Sequence, residues 1–171
     1  MNLLIINTLP EDDIDAVCAI NKLTENVSNC KVVNTYGMNI SNCIGCCDCM
    51  LKNIGVCSLK DDYERIFQLY FVYRNIVFIS DTSLNFISYQ TINIIQRMFP
   101  LVTVLSVYEK GKILHIPRYE KDFRIGMLYK NNPDINVLYP WFDKYIEHFS
   151  STSLGIYPIG DVKEIIKCIS L

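Results

Sequence analysis

The sequence predicts an α/β fold in which helices cover both faces of a doubly wound, five-stranded parallel sheet, with a β-hairpin inserted around residues 102–117. Short apolar runs, typical of buried parallel strands, alternate along the chain with segments that have helical spacing. A pair of β-rich runs interrupts this alternation. The length of 171 residues suits one domain, and we predict a single domain over residues 1–171.

The first half of the chain contains the elements up to the second helix. Residues 3–6 form an apolar run that predicts a central strand, 13–23 have the spacing of a helix, and 31–36 predict a second strand. The apolar positions of that first helix are Ile14, Val17, Cys18 and Leu23. Residues 41–60 are predicted as a loop, and the Asp-Asp pair at 61–62 predicts the start of the next helix.

The second half of the chain continues the alternation. Residues 75–80 predict a third strand, and 88–99 predict a helix that Pro100 closes. The β-rich runs 102–108 and 112–116 are separated by Glu-Lys-Gly and predict the hairpin. The remaining predicted elements are a strand over 123–129, a helix over 137–149, a strand over 155–159 and a helix over 162–169.

Charge and hydropathy exclude several classes of partner. The net charge of -2 comes without a basic face, so we expect no nucleic-acid partner. No apolar run reaches the roughly 18 residues of a membrane span, and the N-terminus lacks the pattern of a signal peptide. We therefore expect a cytoplasmic protein without a membrane partner. In that reducing compartment the eight cysteines are expected to be thiols or metal ligands.

The predicted sheet places its ligand site before any motif is considered. In open parallel sheets, ligands bind beyond the carboxyl ends of the strands, at the point where the strand order reverses. The loops that leave that edge are residues 8–13, 81–88 and 130–136.

Five of the eight cysteines lie in the predicted loop over 41–60, and their spacing is that of a ligand set. Cys43, Cys46, Cys49 and Cys57 form a C-x2-C-x2-C-x7-C pattern, which leaves Cys47 outside it. Four thiolates at such spacing suit an iron–sulfur cluster or a zinc ion, and spacing alone does not choose between these and free thiols. The three other cysteines lie in periodic segments and are predicted to be buried in the core; they are Cys18, Cys30 and Cys168.

The cysteine segment resembles a family pattern. Residues 42–49, followed by 55–62 with Gly-Val-Cys and Asp-Asp, resemble the C-x-G-C-x-x-C, G-x-C and D-D pattern of NADPH-dependent FMN reductase-like proteins and iron–sulfur flavoproteins. Residues 86–90, Gln96-Arg97, and Gly111 together with residues 115–119 also resemble parts of this family. The resemblance implies a flavodoxin-like fold, FMN as cofactor, and a homodimer or homotetramer.

The resemblance also implies site residues. In the iron–sulfur branch the four cysteines hold a [4Fe-4S] cluster, and Cys43, Cys46, Cys49 and Cys57 match those positions. The flavin-binding loops correspond to two segments of this chain. Their members are Thr8, Leu9 and Pro10 after the first strand, and Asp81, Thr82, Ser83, Leu84, Asn85 and Phe86 after the third.

Both flavin loops depart from the family pattern. The first lacks the glycine, arginine and Ser-Asn-Thr that wrap the FMN phosphate, and it has four carboxylates instead, at Glu11, Asp12, Asp13 and Asp15. We expect these acids to cap the following helix, where they would repel a phosphate. In the second loop, Ser83 replaces the usual tyrosine and Asn85 the usual glycine. Asn85 is compatible with a left-handed turn, and Phe86 is the remaining candidate for a stacking surface.

Two functional hypotheses follow. The first is an FMN-dependent oxidoreductase that passes electrons from NAD(P)H, or from a ferredoxin-like donor, to a flavin, a quinone or another acceptor. No catalytic side chain is assigned because the flavin carries the chemistry. The alternative is a non-catalytic flavodoxin-like domain with a degenerate FMN site, which uses the cysteine loop for metal binding, zinc included, or for oligomer contacts.

Overall fold

The computed structural model describes residues 2–109, 111–120 and 122–170, and it shows the predicted alternation. The strands are β1 (Asn2–Asn7), β2 (Asn29–Asn34), β3 (Asn75–Asp81), β4 (Val102–Glu109), β5 (Lys112–Pro117), β6 (Arg124–Lys130) and β7 (Thr152–Pro158). The helices are α1 (Ile14–Asn26), α2 (Asp48–Leu51), α3 (Tyr63–Leu69), α4 (Tyr89–Gln96), α5 (Ile135–His148) and α6 (Val162–Ser170), with a 3-10 turn at Phe99–Leu101.

Five strands form one parallel sheet in the order β2-β1-β3-β6-β7, and β4 and β5 form a separate antiparallel hairpin. Strand β1 pairs with β2 on one side and with β3 on the other, so the strand order reverses between β1 and β3. This is the order of flavodoxin-like folds, and it confirms the predicted fold class together with the inserted hairpin.

Each face of the sheet carries its own core. On one face, strand residues such as Leu4 and Phe78 pack with Phe142 of α5 and with residues of α3 and α4. On the other face, residues such as Ile5 pack with Leu23 of α1 and with α6. Alternate residues of a strand point to opposite faces, which explains why the strand sequences are continuously apolar.

The predicted apolar face of α1 is confirmed for Leu23 and wrong for Ile14, Val17 and Cys18. The structure buries Ala16, Ala19 and Leu23, whereas Ile14 is 78% exposed and Cys18 lies on the exposed side. The buried positions are spaced three and four residues apart, and the small alanines let the helix approach the sheet closely. The core placement predicted for Cys18 is therefore wrong, and Cys30 and Cys168 are only half-buried.

Smaller differences concern the ends of elements. The predicted cysteine loop contains the short helix α2, and α4 ends at Gln96, three residues before its predicted end at Phe99. Pro100 lies in the 3-10 turn that follows, because it lacks the N–H that an α-helix interior requires. Among the described residues, no helix combines the length and apolar character needed to cross a membrane.

A buried ion pair fixes the cysteine loop to the rest of the fold. Arg97, the residue after α4, is 2% exposed, and its Nη1 donates to both carboxylate oxygens of Asp61 at 2.7 and 2.6 Å. The same guanidinium donates to the carbonyls of Ser41 (3.3 Å) and Leu59 (3.2 Å). It also lies 4.4 Å from the ring centroid of Tyr63. One side chain thus anchors both ends of the loop.

The Asp61 carboxylate is equally well satisfied. It accepts hydrogen bonds from the backbone N–H groups of Ser41 (2.9 Å) and Tyr63 (3.1 Å) in addition to those from Arg97. Burial acts to raise the pKa of Asp61, but the hydrogen bonds from Arg97, Ser41 and Tyr63 outweigh it, and the net pKa lies below the ordinary value of 3.8. The charged form of Asp61 therefore stabilises the fold.

The Asp61→Asn substitution tests this anchor. We expect it to lower the free energy of unfolding at pH 7 by about 3 kcal/mol, because it leaves the Arg97 guanidinium buried without its counter-charge. A carboxylate with a lowered pKa stabilises the fold above its ordinary pKa, and that contribution is lost as the pH falls through the lowered value. In urea unfolding, the gap between wild type and variant should therefore narrow below about pH 4.

The exposed pair between Lys112 and Glu147, with a separation of 2.7 Å, supplies the control. We expect Glu147→Gln to cost less than about 1 kcal/mol. Equal losses for Asp61→Asn and Glu147→Gln would contradict the anchoring role.

Candidate functional site

The loop after β1 lies at the carboxyl edge of the sheet and is held by its own hydrogen bonds. Thr8 is 3% exposed, and both its N–H (3.0 Å) and its hydroxyl (2.8 Å) contact the carbonyl of Ile79. Leu9 is 5% exposed, and its N–H donates to the side-chain oxygen of Asn7 at 3.1 Å. Of the three predicted flavin-loop residues here, Thr8 and Leu9 face inward, and only Pro10 is half-buried.

The N-terminus of α1 is capped by the chain itself. Asp13 is the N-cap residue, and its carboxylate accepts a hydrogen bond from the N–H of Ala16 at 3.0 Å. Lys130, the last residue of β6, reaches the carboxylates of Asp13 (2.6 Å) and Asp15 (2.9 Å). Burial acts to raise the pKa of Asp13, but the hydrogen bonds from Lys130 and Ala16 leave it below its ordinary value. The predicted capping role of the acidic loop is confirmed for Asp13.

The loop after β3 is tied to the loop after β6. The hydroxyl of Ser83 donates to Asp81 at 2.8 Å, and the side-chain amide of Asn131 donates to Asp81 and to Ser83. The N–H of Thr82 donates to the carbonyl of Lys130 at 3.1 Å. Asn85 adopts the predicted left-handed conformation with φ of 60°, and its N–H donates to the carbonyl of Thr82 at 3.0 Å.

Helix α4 brings the two predicted flavin loops together through Thr91. Its hydroxyl lies 2.8 Å from the hydroxyl of Thr8 and donates to that of Ser80 at 2.8 Å. All three side chains are buried, so this contact fixes the separation of the loops. The sequence does not predict the role of Thr91, because its side chain is placed only by the packing of α4 against β1 and β3.

Apolar side chains remain exposed along the same edge. Leu84 in the loop after β3 is 91% exposed, Tyr89 at the start of α4 is 71% exposed, and Tyr36 after β2 is 55% exposed. Phe86, the predicted stacking residue, is half-buried and packs edge-on against Trp141 with centroids 4.7 Å apart. Tyr36 and Tyr89 therefore offer exposed rings to a planar ligand at this edge. The sequence signal for both is their position directly beyond a strand or at a helix start.

The cysteines of the loop line a single apolar cavity of about 200 Å³. Its lining comprises Cys43, Ile44, Gly45, Cys46, Cys47, Cys49, Met50, Cys57, Ser58, Leu59 and Phe99. None of the predicted flavin-loop residues is among them. The four predicted metal ligands therefore line one cavity, and the two predicted flavin loops do not contribute to its walls.

The cysteines have the chemistry of a metal site without its arrangement. Burial, and then the negative charges of Cys57, Cys43 and Cys46, raise the pKa of Cys49 to about 11. Soft thiolates suit zinc or an iron–sulfur cluster. Within the described ranges, however, no group of three or more His, Cys, Asp or Glu side chains is arranged to hold a metal ion. Ligation by Cys43, Cys46, Cys49 and Cys57 therefore stays a prediction.

Cys57 stands where the cysteine cavity meets a second one. The Nη2 of Arg97 donates to its Sγ at 3.5 Å, and Cys57 also lines a neighbouring cavity of about 280 Å³. The walls of that cavity include the rings of Tyr63, Phe67, Phe71 and Tyr119. The guanidinium that anchors the loop therefore also orients one of its thiols.

Known structures share this fold at low sequence identity. An FMN-dependent NADH-azoreductase from Bacillus anthracis str. Ames Ancestor in complex with FMN is 9% identical, and the match covers 99% of this chain and 98% of that one with a TM-score of 0.59. An azoreductase from Bacillus anthracis str. Sterne is 13% identical, with coverage of 98% and 94% and a TM-score of 0.59.

A third similar structure is RosB with a bound intermediate, 8-demethyl-8-formylriboflavin-5'-phosphate. It is 14% identical, with 99% of this chain and 76% of that one covered and a TM-score of 0.62. No protein-family model matches the chain, and no curated protein sequence matches it either. At these identities the comparisons establish the flavodoxin-like fold.

The raised pKa of Cys49 predicts a slow reaction with iodoacetamide. At pH 8 a thiol with a pKa of about 11 is a thiolate in about one molecule per thousand, and the thiolate is the nucleophile. In chelator-treated protein we expect Cys49 to be alkylated more slowly than its exposed neighbour Cys46. The rate at Cys49 should rise steeply as the pH approaches 11. Peptide mapping by mass spectrometry measures both rates, and equal rates at pH 8 would contradict the assignment.

Proposed function

We propose that the chain is a flavin-dependent oxidoreductase that takes electrons from NAD(P)H and passes them to a quinone, an azo compound or a second flavin. The observation that carries the proposal is the apolar edge at the point where the strand order reverses. Tyr36, Leu84 and Tyr89 are exposed there, beside the polar side chains of Ser83 and Asn85. Such an edge suits a planar ring with polar substituents.

The similar structures support this choice of reaction class. The azoreductase from the Ames Ancestor strain is described as FMN-dependent and NADH-using, and RosB holds a phosphorylated flavin derivative. By analogy of fold, the same class of cofactor and electron donor is proposed for this chain. A ferredoxin-like donor is proposed only if the cysteines hold a cluster, because a cluster transfers single electrons.

FMN itself fits only one half of this edge. On the ring side, exposed aromatic and aliphatic side chains accompany hydroxyl and amide groups. On the phosphate side, the N-terminus of α1 is occupied by the Asp13 carboxylate, and Lys130 is held by Asp13 and Asp15. The residues present therefore do not fit the terminal phosphate of FMN, and we derive no reaction step through that group.

The capped helix favours a second candidate function. In it, the domain is non-catalytic and its flavin site is degenerate, while the anchored cysteine loop supplies the activity of the molecule by binding a metal. Cys43, Cys46, Cys49 and Cys57 would be the ligands. Gly45, with φ of 67°, and Cys47, with φ of 58°, give the loop two left-handed turns between the first three of them.

We also propose that the hairpin joins copies of the chain into a homodimer or homotetramer. Its two strands expose apolar side chains that would otherwise face water, namely Val104, Leu105, Val107, Tyr108, Ile113 and Ile116. A two-stranded hairpin is marginally stable alone, and an exposed apolar patch commonly marks an interface.

The oxidoreductase proposal predicts flavin uptake at the apolar edge. Purified protein incubated with riboflavin or FMN should retain flavin bands near about 375 and 450 nm and should oxidise NADH or NADPH when a quinone is present. We expect Leu84→Asp to weaken flavin binding about tenfold, because a carboxylate would replace an apolar contact. The fold should be unaffected, since Leu84 is 91% exposed.

Val72→Asp is the matched control, because Val72 is also exposed, at 57%, and precedes β3 at the opposite edge of the sheet. A colourless protein that takes up neither flavin would contradict the oxidoreductase proposal. Metal analysis of protein purified without oxygen then tests the second candidate function, metal binding by the cysteine loop. Iron with sulfide, or zinc, would support it, and a metal-free chain would oppose it.

The hairpin proposal predicts a change in sedimentation. We expect the wild type to sediment as a dimer or tetramer and the Leu105→Glu, Ile113→Glu double variant to sediment as a monomer. The two added carboxylates would lie within an interface of about 1,200–2,000 Å² if it has the usual size. Val72→Glu should leave the assembly unchanged. A monomeric wild type would contradict the proposal.

A further inference from the structure

We propose that this chain selects a flavin without a terminal phosphate, because its own Asp13 carboxylate fills the place of the phosphate. The inference rests on the proposed flavin site and names its ligand class, an isoalloxazine with an uncharged polyhydroxylated side chain. The residues at the N-terminus of α1 do not suit the phosphate group of a phosphorylated flavin.

The hydrogen-bond donors at the N-terminus of α1 are already partly occupied. A phosphate at a helix N-terminus is held by N–H groups that have no partner within the helix. In this chain the Asp13 carboxylate accepts a hydrogen bond from the N–H of Ala16 at 3.0 Å. A donor that would bind a phosphate is thus engaged by a group of the same charge sign.

The ammonium group at this helix end, that of Lys130, is also already paired. Lys130 Nζ lies 2.6 Å from Asp13 and 2.9 Å from Asp15, so the ammonium at this helix end is shared by two carboxylates. Glu11 and Asp12 precede them in the same turn and are exposed. A dianionic phosphate would have to displace Asp13 to reach the Lys130 ammonium, and it would be repelled by the two carboxylates that share that ammonium.

The loop after β1 uses its own hydrogen-bond donors internally. Thr8 uses its hydroxyl to donate to Ile79, and Pro10 has no N–H. Leu9 donates its N–H to Asn7 and is 5% exposed. The loop contains no glycine that would let its backbone approach a phosphate closely. The loop therefore has few donors left for an anion.

The same groups suit a neutral polyol. Ionised carboxylates accept hydrogen bonds from hydroxyl groups, and Asp13 and Asp15 supply such acceptors at the N-terminus of α1. The exposed side chains of Tyr36, Leu84 and Tyr89 would contact the ring of the ligand and not its polyol chain. The edge thus discriminates by the charge at the far end of the flavin.

The experiment compares riboflavin with FMN in equilibrium titrations. Quenching of flavin fluorescence and the emission of Trp141, the single tryptophan, report binding. We expect wild type at low salt to bind riboflavin about tenfold or more tightly than FMN. The phosphate of FMN would meet carboxylate repulsion and would find no free ammonium for a charge-assisted hydrogen bond, and together these effects amount to at least that factor. Added salt should narrow the ratio because it screens the carboxylates.

The Asp13→Ser, Asp15→Asn double variant should abolish the discrimination. Serine preserves an N-cap, so the helix should still form, and Lys130 is released to meet a phosphate. We expect FMN affinity to rise about tenfold or more, with riboflavin affinity changing less than about threefold. Asp15→Asn alone leaves the Asp13 cap intact and should give a smaller gain in the same direction.

Glu11→Gln, Asp12→Asn is the matched control, because it removes the same net charge from exposed residues outside the Lys130 ion pairs. We expect it to leave the ratio of the two affinities within about threefold of wild type. Tighter binding of FMN than of riboflavin by the wild type would overturn the inference while leaving the proposed function standing. If wild type binds neither flavin, the proposed function and the inference both fail.

Discussion

The ion pair between Arg97 and Asp61 is the interaction on which the rest of the candidate site depends. Between β2 and α3 the chain runs for 28 residues with a single four-residue helix, and none of these residues lies in a strand of the sheet. The guanidinium binds this segment near its start, at Ser41, and near its end, at Leu59 and Asp61. A buried pair of this kind gains little over apolar packing, but it admits one geometry only, and that geometry sets where the cysteines lie.

Helix α4 connects the two candidate regions of the molecule, the carboxyl edge of the sheet and the cysteine loop. At its first turn, Thr91 joins the loops after β1 and β3, and directly after its last turn Arg97 holds the cysteine loop. The helix has eight residues, so these anchors stand about 10 Å apart along a rigid element. A change in the cysteine loop that moved Arg97 would therefore also act on the loops at the carboxyl edge, through the same short helix.

The sequence is sufficient for the fold because the apolar runs and their spacing follow the periods of strands and helices. It misplaces the buried face of α1 because Ile14 and Cys18 are more apolar than Ala16 and Ala19, and only the close approach of helix and sheet favours the small residues. In the site, the acidic loop caps α1 as its composition predicts. The partner of that cap is not predictable, because Lys130 lies 117 residues away and reaches Asp13 only when β6 is placed in the sheet.

Capping a helix and binding a phosphate are competing uses of the same N–H groups. A helix end that binds a phosphate must leave its first N–H groups uncapped. Without the ligand, such an uncapped helix end is less stable than a capped one. In this chain the helix end is not free. The Asp13 carboxylate accepts a hydrogen bond from the N–H of Ala16, and Lys130 forms an ion pair with that carboxylate. The cation that would otherwise attract a phosphate is thereby converted into part of the internal structure. What stays exposed at the edge is apolar surface and acceptor oxygens, which suit the proposed ligand with its flat ring and uncharged hydroxyl groups.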